Sequence, residues 1–360
     1  MKRSRGRVVH VESLEEFDGR LAAGATTLRG WRVRGLDLTE RRSALADVTV
    51  GGATFLGCRF AGGDAERLQA QGALVLEVPP DLPVEPRTTL YSPEELYDTP
   101  RYADSLDAQA YAWSQRTADP GSALGRALHD HTIDLALESW LAGRSLVGVM
   151  GGHRLDRGHP SYLDTAQLGA GLGAGLTVAT GGGPGAMEAA NLGAWMAHRP
   201  DELPEAIELL AAVPTFRPSV DAWVRAAFAV RERFPDGAES LGIPTWHYGH
   251  EPPNAFATAI AKYFRNSTRE AILLQVCDAG IVFLPGYGGT VQEIFQDACE
   301  NYYADESSIA PMVLVGASYW TEELPAWPLL QRLAQGRPME QHVHLVDSVK
   351  DAVNLVVSRT

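Results

Sequence analysis

Glu293 ends the stretch Phe283-Leu-Pro-Gly-Tyr-Gly-Gly-Thr-Val-Gln-Glu293, where a carboxylate sits one helical turn beyond a cluster of glycines. Gly286, Gly288 and Gly289 let the backbone approach a ligand with no Cβ in the way. Thr290 then opens a helix whose first N–H groups have no internal partner, an arrangement suited to a phosphate. A carboxylate beside a phosphate is repelled unless it faces another part of the ligand. Glu293 therefore points to a sugar, where it can stabilise positive charge developing at the anomeric carbon or position a water. A second loop, Ala179-Thr-Gly-Gly-Gly-Pro-Gly-Ala-Met-Glu-Ala189, repeats the pattern of apolar strand, glycine turn and helix. Pro184 suits the helix start because its missing N–H would be unpaired there anyway. Gly182, Gly183 and Gly185 are the candidate ligand-facing positions of this loop, with Met187 and Glu188 bounding the other side of the pocket. As a dinucleotide fingerprint, Gly181, Gly183 and Ala186 have the loose G-x-G-x-x-A spacing, but no acidic ribose partner stands clearly about twenty residues on. That speaks against a dehydrogenase.

Thr180-Gly-Gly-Gly-Pro-Gly-Ala-Met-Glu-Ala-Ala-Asn-Leu-Gly193 and Pro285-Gly-Tyr-Gly-Gly-Thr-Val-Gln-Glu293 resemble the two signature loops of the LONELY GUY family of nucleoside-monophosphate phosphoribohydrolases. The fuller resemblance is to their bacterial relatives, the nucleotide 5′-monophosphate nucleosidases, which share the G-P-G-A-M-E-A loop and a segment like Glu251-Pro-Pro-Asn254. It runs from about Leu146 to the C-terminus. One departure is Tyr287, which stands where the family has its second glycine, with Gly288 in the variable position. The resemblance implies a Rossmann-like fold and hydrolysis of the N-glycosidic bond of a nucleoside 5′-monophosphate to free base and ribose 5-phosphate. It implies no cofactor, and at least a homodimer. It also implies that an arginine on the preceding helix works with the motif glutamate. Arg269 lies nine residues before Asp278, at the family's spacing, and takes that role, with Arg265 as the fallback. A non-catalytic nucleotide sensor on the same fold is the alternative. The decarboxylase label sometimes attached to the family needs a lysine for pyridoxal phosphate, for which Lys262 is the candidate.

These residues need a scaffold that gathers two loops. Apolar stretches at Leu146–Met150, Leu176–Ala179, Leu209–Val213, Ile243–Trp246, Gly280–Leu284, Met312–Val315 and His344–Val346 alternate with helical ones, one of which is expected over Ala255–Gln275. The fold class this predicts is α/β, a doubly wound parallel sheet of about seven strands. Ligands of such sheets sit off the carboxyl ends of the strands. Gly152, His153 and Arg154, just after the first strand, become candidate contacts. His247-Tyr-Gly-His-Glu-Pro-Pro-Asn254 is a candidate lining for the base or sugar. Its two histidines find no third partner at ligand spacing, and no metal site is expected.

The 360 residues carry a net charge of −14, which disfavours nucleic-acid binding through phosphates. Any small anion must then be held locally. Cys58, Cys277 and Cys299 lack metal spacing and suit a reducing cytoplasm. No run is long and apolar enough for a signal peptide or membrane span, so a cytoplasmic protein with no membrane partner is expected. Residues 1–90 read as a β-rich accessory domain. Small or apolar residues recur every fifth position through Leu28, Val33, Leu38, Ser43, Val48, Ala53 and Cys58, which hints at a pentapeptide-like coil. A proline-rich linker, Val78–Pro86, follows. Residues 91–145 read as a helical connector opened by Ser92-Pro-Glu-Glu95, and 146–360 as the nucleotide-binding catalytic domain.

Overall fold

A computed structural model describes residues 8–76, 82–84, 87–116, 120–247 and 251–358. Most of the proline-rich linker and Tyr248–His250 lie outside these residues. The chain divides into two compact units. One holds the described residues up to Thr89 with Gln115–Leu137, and the other Leu90–Ser114 with Glu138 onward. Residues 91–145, read from sequence as one connector, are thus shared between them.

The first unit contains a four-stranded parallel sheet in sequence order: β1 (Val9–Val11), β2 (Trp31–Arg34), β3 (Thr54–Leu56) and β4 (Leu74–Leu76). Val9 pairs with Trp31, Arg32 with Thr54, and Thr54 with Leu74, so the chain returns after 22, 22 and 20 residues. A helix or helical turn fills each return, beginning with Leu14–Ala22, which Ser13 caps by accepting from Glu16 N. The core is built from Leu28, Trp31, Val33, Leu36 and Leu38, answered 22 residues later by Val50, Ala53, Phe55, Cys58 and Phe60. That is the spacing L-x-x-L-x-L-x-x-N/C-x-L of leucine-rich solenoids. Cys58 occupies the N/C position, with its Sγ directed to the carbonyls of Val33 and Leu56. The pentapeptide-like coil is therefore corrected to a longer repeat. Positions 1, 6 and 11 of the motif are themselves five apart, which is how Leu28, Val33 and Leu38 produced the shorter period.

The second unit is built on a seven-stranded sheet. Its strands are β5 (Leu146–Met150), β6 (Thr177–Thr180), β7 (Ser240–Gly242), β8 (Ala259–Ile260), β9 (Gly280–Phe283), β10 (Met312–Val315) and β11 (Val343–Val346). All pair in parallel, in the order β11-β10-β9-β5-β6-β7-β8. β5, β9 and β10 are buried along their whole length, as expected of strands covered on both faces. This is the expected Rossmann-like α/β architecture. The chain runs outward from β5 through β8, then returns to the other side of β5 as β9, so the strand order reverses between β5 and β9. The loops after β5, β6 and β9 open at that reversal.

Three expected elements differ. The strand expected at Ile243–Trp246 lies just before it, as β7 over Ser240–Gly242, with an isolated bridge at Thr245 beyond. Leu209–Val213 is not a strand. Leu210 and Ala211 end the helix Leu203–Ala211, whose Leu203, Ala206, Ile207 and Leu210 recur at helical spacing and are buried. The helix expected over Ala255–Gln275 begins only at Asn266, and its first half supplies the short strand β8 at the sheet edge. Tyr91 forms an isolated antiparallel bridge with Ile260 there. Ser92 caps the helix Pro93–Leu96 with a full capping box through Glu95, as its sequence predicts.

Candidate active site

A cleft of about 1040 Å³ opens at the carboxyl ends of β5, β6 and β9. Of the residues singled out from sequence, it brings together Gly152, His153, Arg154, Gly183, Met187, Arg269, Gly286, Gly288, Gly289, Thr290 and Glu293. Gly182, Gly185, Glu188 and Arg265 do not line it.

The two glycine loops behave differently. After β9, the helix Gly288–Tyr303 has Tyr287 as its N-cap with no side-chain cap, and the first internal bond runs from Val291 N to Tyr287 O. Gly288, Gly289 and Thr290, whose amides have no acceptor within the helix, line the cleft. Gly286 must be glycine, because a Cβ there would lie 2.2 Å from Thr290 Oγ1. Tyr319 donates to the Gly286 carbonyl at 2.7 Å and fixes the turn from below. After β6, the helix Ala186–Trp195 has its first amide taken: Ala186 N donates to Gly152 O at 3.1 Å. Gly185, at φ 74°, packs so tightly on the Gly152–His153 backbone that a Cβ would meet it at 2.7 Å. This loop seals the cleft wall, and the open anion cradle is the one after β9.

Glu188 is corrected from a pocket residue to a buried tie. Both it and Arg157 are 1% exposed, and Arg157 grips the carboxylate with Nε and Nη2. The same guanidinium donates to the carbonyls of Trp223 and Val213 and lies 4.6 Å from the Trp223 ring centre. Arg157 belongs to the loop after β5, so the pair locks the Gly152–His153 wall to the helix of the β6 loop. Asn254 does the same for the glycine turn. Its Nδ2 reaches Gly183 O at 3.1 Å and Asn191 Oδ1 at 3.0 Å, while its backbone N donates to Gly182 O. Asn191 is held in turn by Thr180 and Ser240. Asn191 and Arg157 were not singled out from sequence. Their partners are distant along the chain, and only the G-P-G-A-M-E-A-A-N stretch itself could have flagged Asn191.

Arg269 stands in the first turn of the helix Asn266–Gln275 and donates from Nε to Ile243 O at 2.8 Å. Its guanidinium lies against Gly181, where a Cβ would come within 2.6 Å of Nη2. From there Nη1 is 4.0 Å from Glu293 Oε1, and the two side chains are 13% and 15% exposed. Burial pushes the Glu293 carboxyl up to about 7. Arg269 draws it down and Glu270 raises it further. Asp297, one turn on, is pushed up to about 8 by burial, and its Oδ2 has no hydrogen-bond partner. Across the mouth His153 Nδ1 lies 3.5 Å from Glu251 Oε1.

The Glu293 shift fixes the sign of a stability effect. The folded state holds the Glu293 proton more tightly than the unfolded chain. The stability this contributes is present below the ordinary value of 4.5 and is lost as pH rises towards about 7. Glu293→Gln, which cannot ionise, should be more stable than the unaltered protein at pH 8, by up to about 3 kcal/mol, and nearly equal to it at pH 4.5. Urea midpoints of both proteins at the two pH values check this, and a pH-independent difference would contradict it.

Lys262 is buried in an ion pair with Asp107, which also accepts from Trp246 Nε1, and it does not line the cleft. Among the described residues no lysine, Lys350 included, lines the cleft to hold pyridoxal phosphate. Among the described residues no group of three or more His, Cys, Asp or Glu is placed to hold a metal ion, and no helix is long and apolar enough to cross a membrane.

No protein-family profile and no curated protein matches the sequence. Among solved structures, the chain is similar to the molybdenum cofactor binding protein of the phototrophic bacterium Rippkaea orientalis, at 19% identity and a TM-score of 0.38 over 60% of this chain and 97% of that one. The Moco carrier protein of Chlamydomonas reinhardtii matches at 19% identity and a TM-score of 0.37, over 60% of this chain and 99% of that one.

Proposed function

We propose that the protein hydrolyses the N-glycosidic bond of nucleoside 5′-monophosphates, releasing free base and ribose 5-phosphate. The observation that carries this reading is Glu293 beside Arg269, both nearly buried, next to an uncapped helix N-terminus. The 5′-phosphate would rest on the amides of Gly288, Gly289 and Thr290, a remote group whose binding energy orients the sugar. As the C1′–N bond breaks, its electron pair leaves with the base and the sugar becomes oxocarbenium-like. The Glu293 carboxylate faces that positive charge, and the attacking water supplies hydroxide to C1′ and a proton to the departing base. Arg269, fixed by the Ile243 carbonyl, holds Glu293 in place and favours its ionised form. The resemblance of both loops to the LONELY GUY family supports the same reaction, as does Asn254 of the Glu251-Pro-Pro-Asn254 segment bracing the first loop.

Incubating the protein with a panel of nucleoside monophosphates and separating the products by chromatography tests the reading. Free base and ribose 5-phosphate should appear in equal amounts from at least one of them. Saturable nucleotide binding without base release would leave only a nucleotide-holding protein.

A further inference from the structure

A mononucleotide leaves much of this cleft empty. Its volume of about 1040 Å³ stands at the top of the roughly 300–1,000 Å³ typical of small-molecule sites. The surplus lies on one side. Gly181, Gly183, Met187, Thr245, Arg269 and Glu293 surround the sugar and base end. Beyond the Pro285–Gly286 turn the same cleft continues over the ends of β10 and β11. There the walls are the rings of Tyr287 and Tyr319, and the floor is Leu284, Val315 and Val349. Tyr287 is 73% exposed where it lines the cleft. Asp347, just past β11, uses Oδ1 to accept from Ala317 N at 3.1 Å, and its exposed carboxylate borders the lobe. Asp164, also exposed, lines the same cleft. Gly316, at φ 96°, turns the chain away after β10 and keeps the space open.

Aromatic rings, an apolar floor and a carboxylate at a strand end fit a ring-bearing group with a vicinal diol. The base stacks on tyrosine and the hydroxyls donate to the carboxylate. A second free anion is not favoured in a cleft that two aspartates line. We propose that the cleft takes a nucleotide whose 5′-phosphate is itself joined, through a pyrophosphate, to a second nucleoside-like group lodged between Tyr287, Tyr319 and Asp347. This rests on the proposed seat of the phosphate at Gly288–Thr290, with the second phosphate passing over the exposed Gly286–Tyr287 turn.

Binding to Glu293→Gln protein, which is not expected to turn ligand over, tests it by calorimetric titration with AMP, ADP-ribose and diadenosine 5′,5′-pyrophosphate. Diadenosine 5′,5′-pyrophosphate should bind at least about tenfold more tightly than AMP, since one base–aromatic stack is worth on the order of 1–3 kcal/mol, and ADP-ribose, which lacks a second base, should gain less. Val349→Trp, which fills the lobe, and Asp347→Ala should each remove most of that advantage without weakening AMP. Equal affinities for AMP and the longer ligands, or an advantage that survives Val349→Trp, would overturn the second lobe and leave the mononucleotide reading standing. Failure of all three ligands to bind would overturn both.

Discussion

Glu293→Gln should lower kcat for base release by about two or more orders of magnitude, because it removes the charge opposing the sugar cation and keeps the side chain's shape. KM should change little, since the phosphate seat at Gly288–Thr290 is untouched. The raised Glu293 pKa adds a second signature. If the ionised carboxylate is the active form, the kcat/KM of the unaltered protein should climb as pH passes about 7, and that limb should vanish in the variant. Steady-state rates between pH 5 and 9 measure both effects. Undiminished turnover in the variant would remove Glu293 from the chemistry, and with it the assignment of a nucleosidase reaction.

Arg157→Met should be the most damaging single change to stability, costing about 3–5 kcal/mol, because it strands the Glu188 carboxylate where both partners are 1% exposed. Two carbonyls, of Val213 and Trp223, lose a donor at the same time. The double variant Arg157→Met/Glu188→Leu should recover a substantial part of the loss, since it removes the orphaned charge. Thermal or urea unfolding of the single and double variants gives the coupling. A double variant no more stable than the single one would mean that the lost carbonyl contacts and Trp223 packing, and not the stranded charge, dominate.

The features legible in the sequence were those whose cause is local. Glycine clusters after apolar strands gave both loops, and the three-residue step from Thr290 gave the place of Glu293 on its helix. Ser92-Pro-Glu-Glu95 gave its own capping box. Where causes lie across the chain, the reading faltered. Glu188 sits in the first turn of a helix beside a glycine loop, the place for a ligand contact, yet a partner 31 residues earlier claims it. The two glycine loops looked equivalent because nothing near Gly185 shows that the Gly152 carbonyl plugs its helix. Leu209–Val213 is a short apolar run, which periodicity cannot separate from the end of a buried helix. The 22-residue repeat was obscured because its own internal spacings mimic a period of five.

That repeat has a consequence for how the amino-terminal unit can vary. Each strand from β1 to β4 pairs only with the strands beside it, and each return carries its own helical segment. Excising or duplicating about twenty-two residues, in phase, would shorten or lengthen the array while keeping its cross-section. Insertions out of phase would instead turn Val33 or Phe55 towards water. Length is therefore the inexpensive dimension of this unit, and descendants could extend its reach without redesigning its interior.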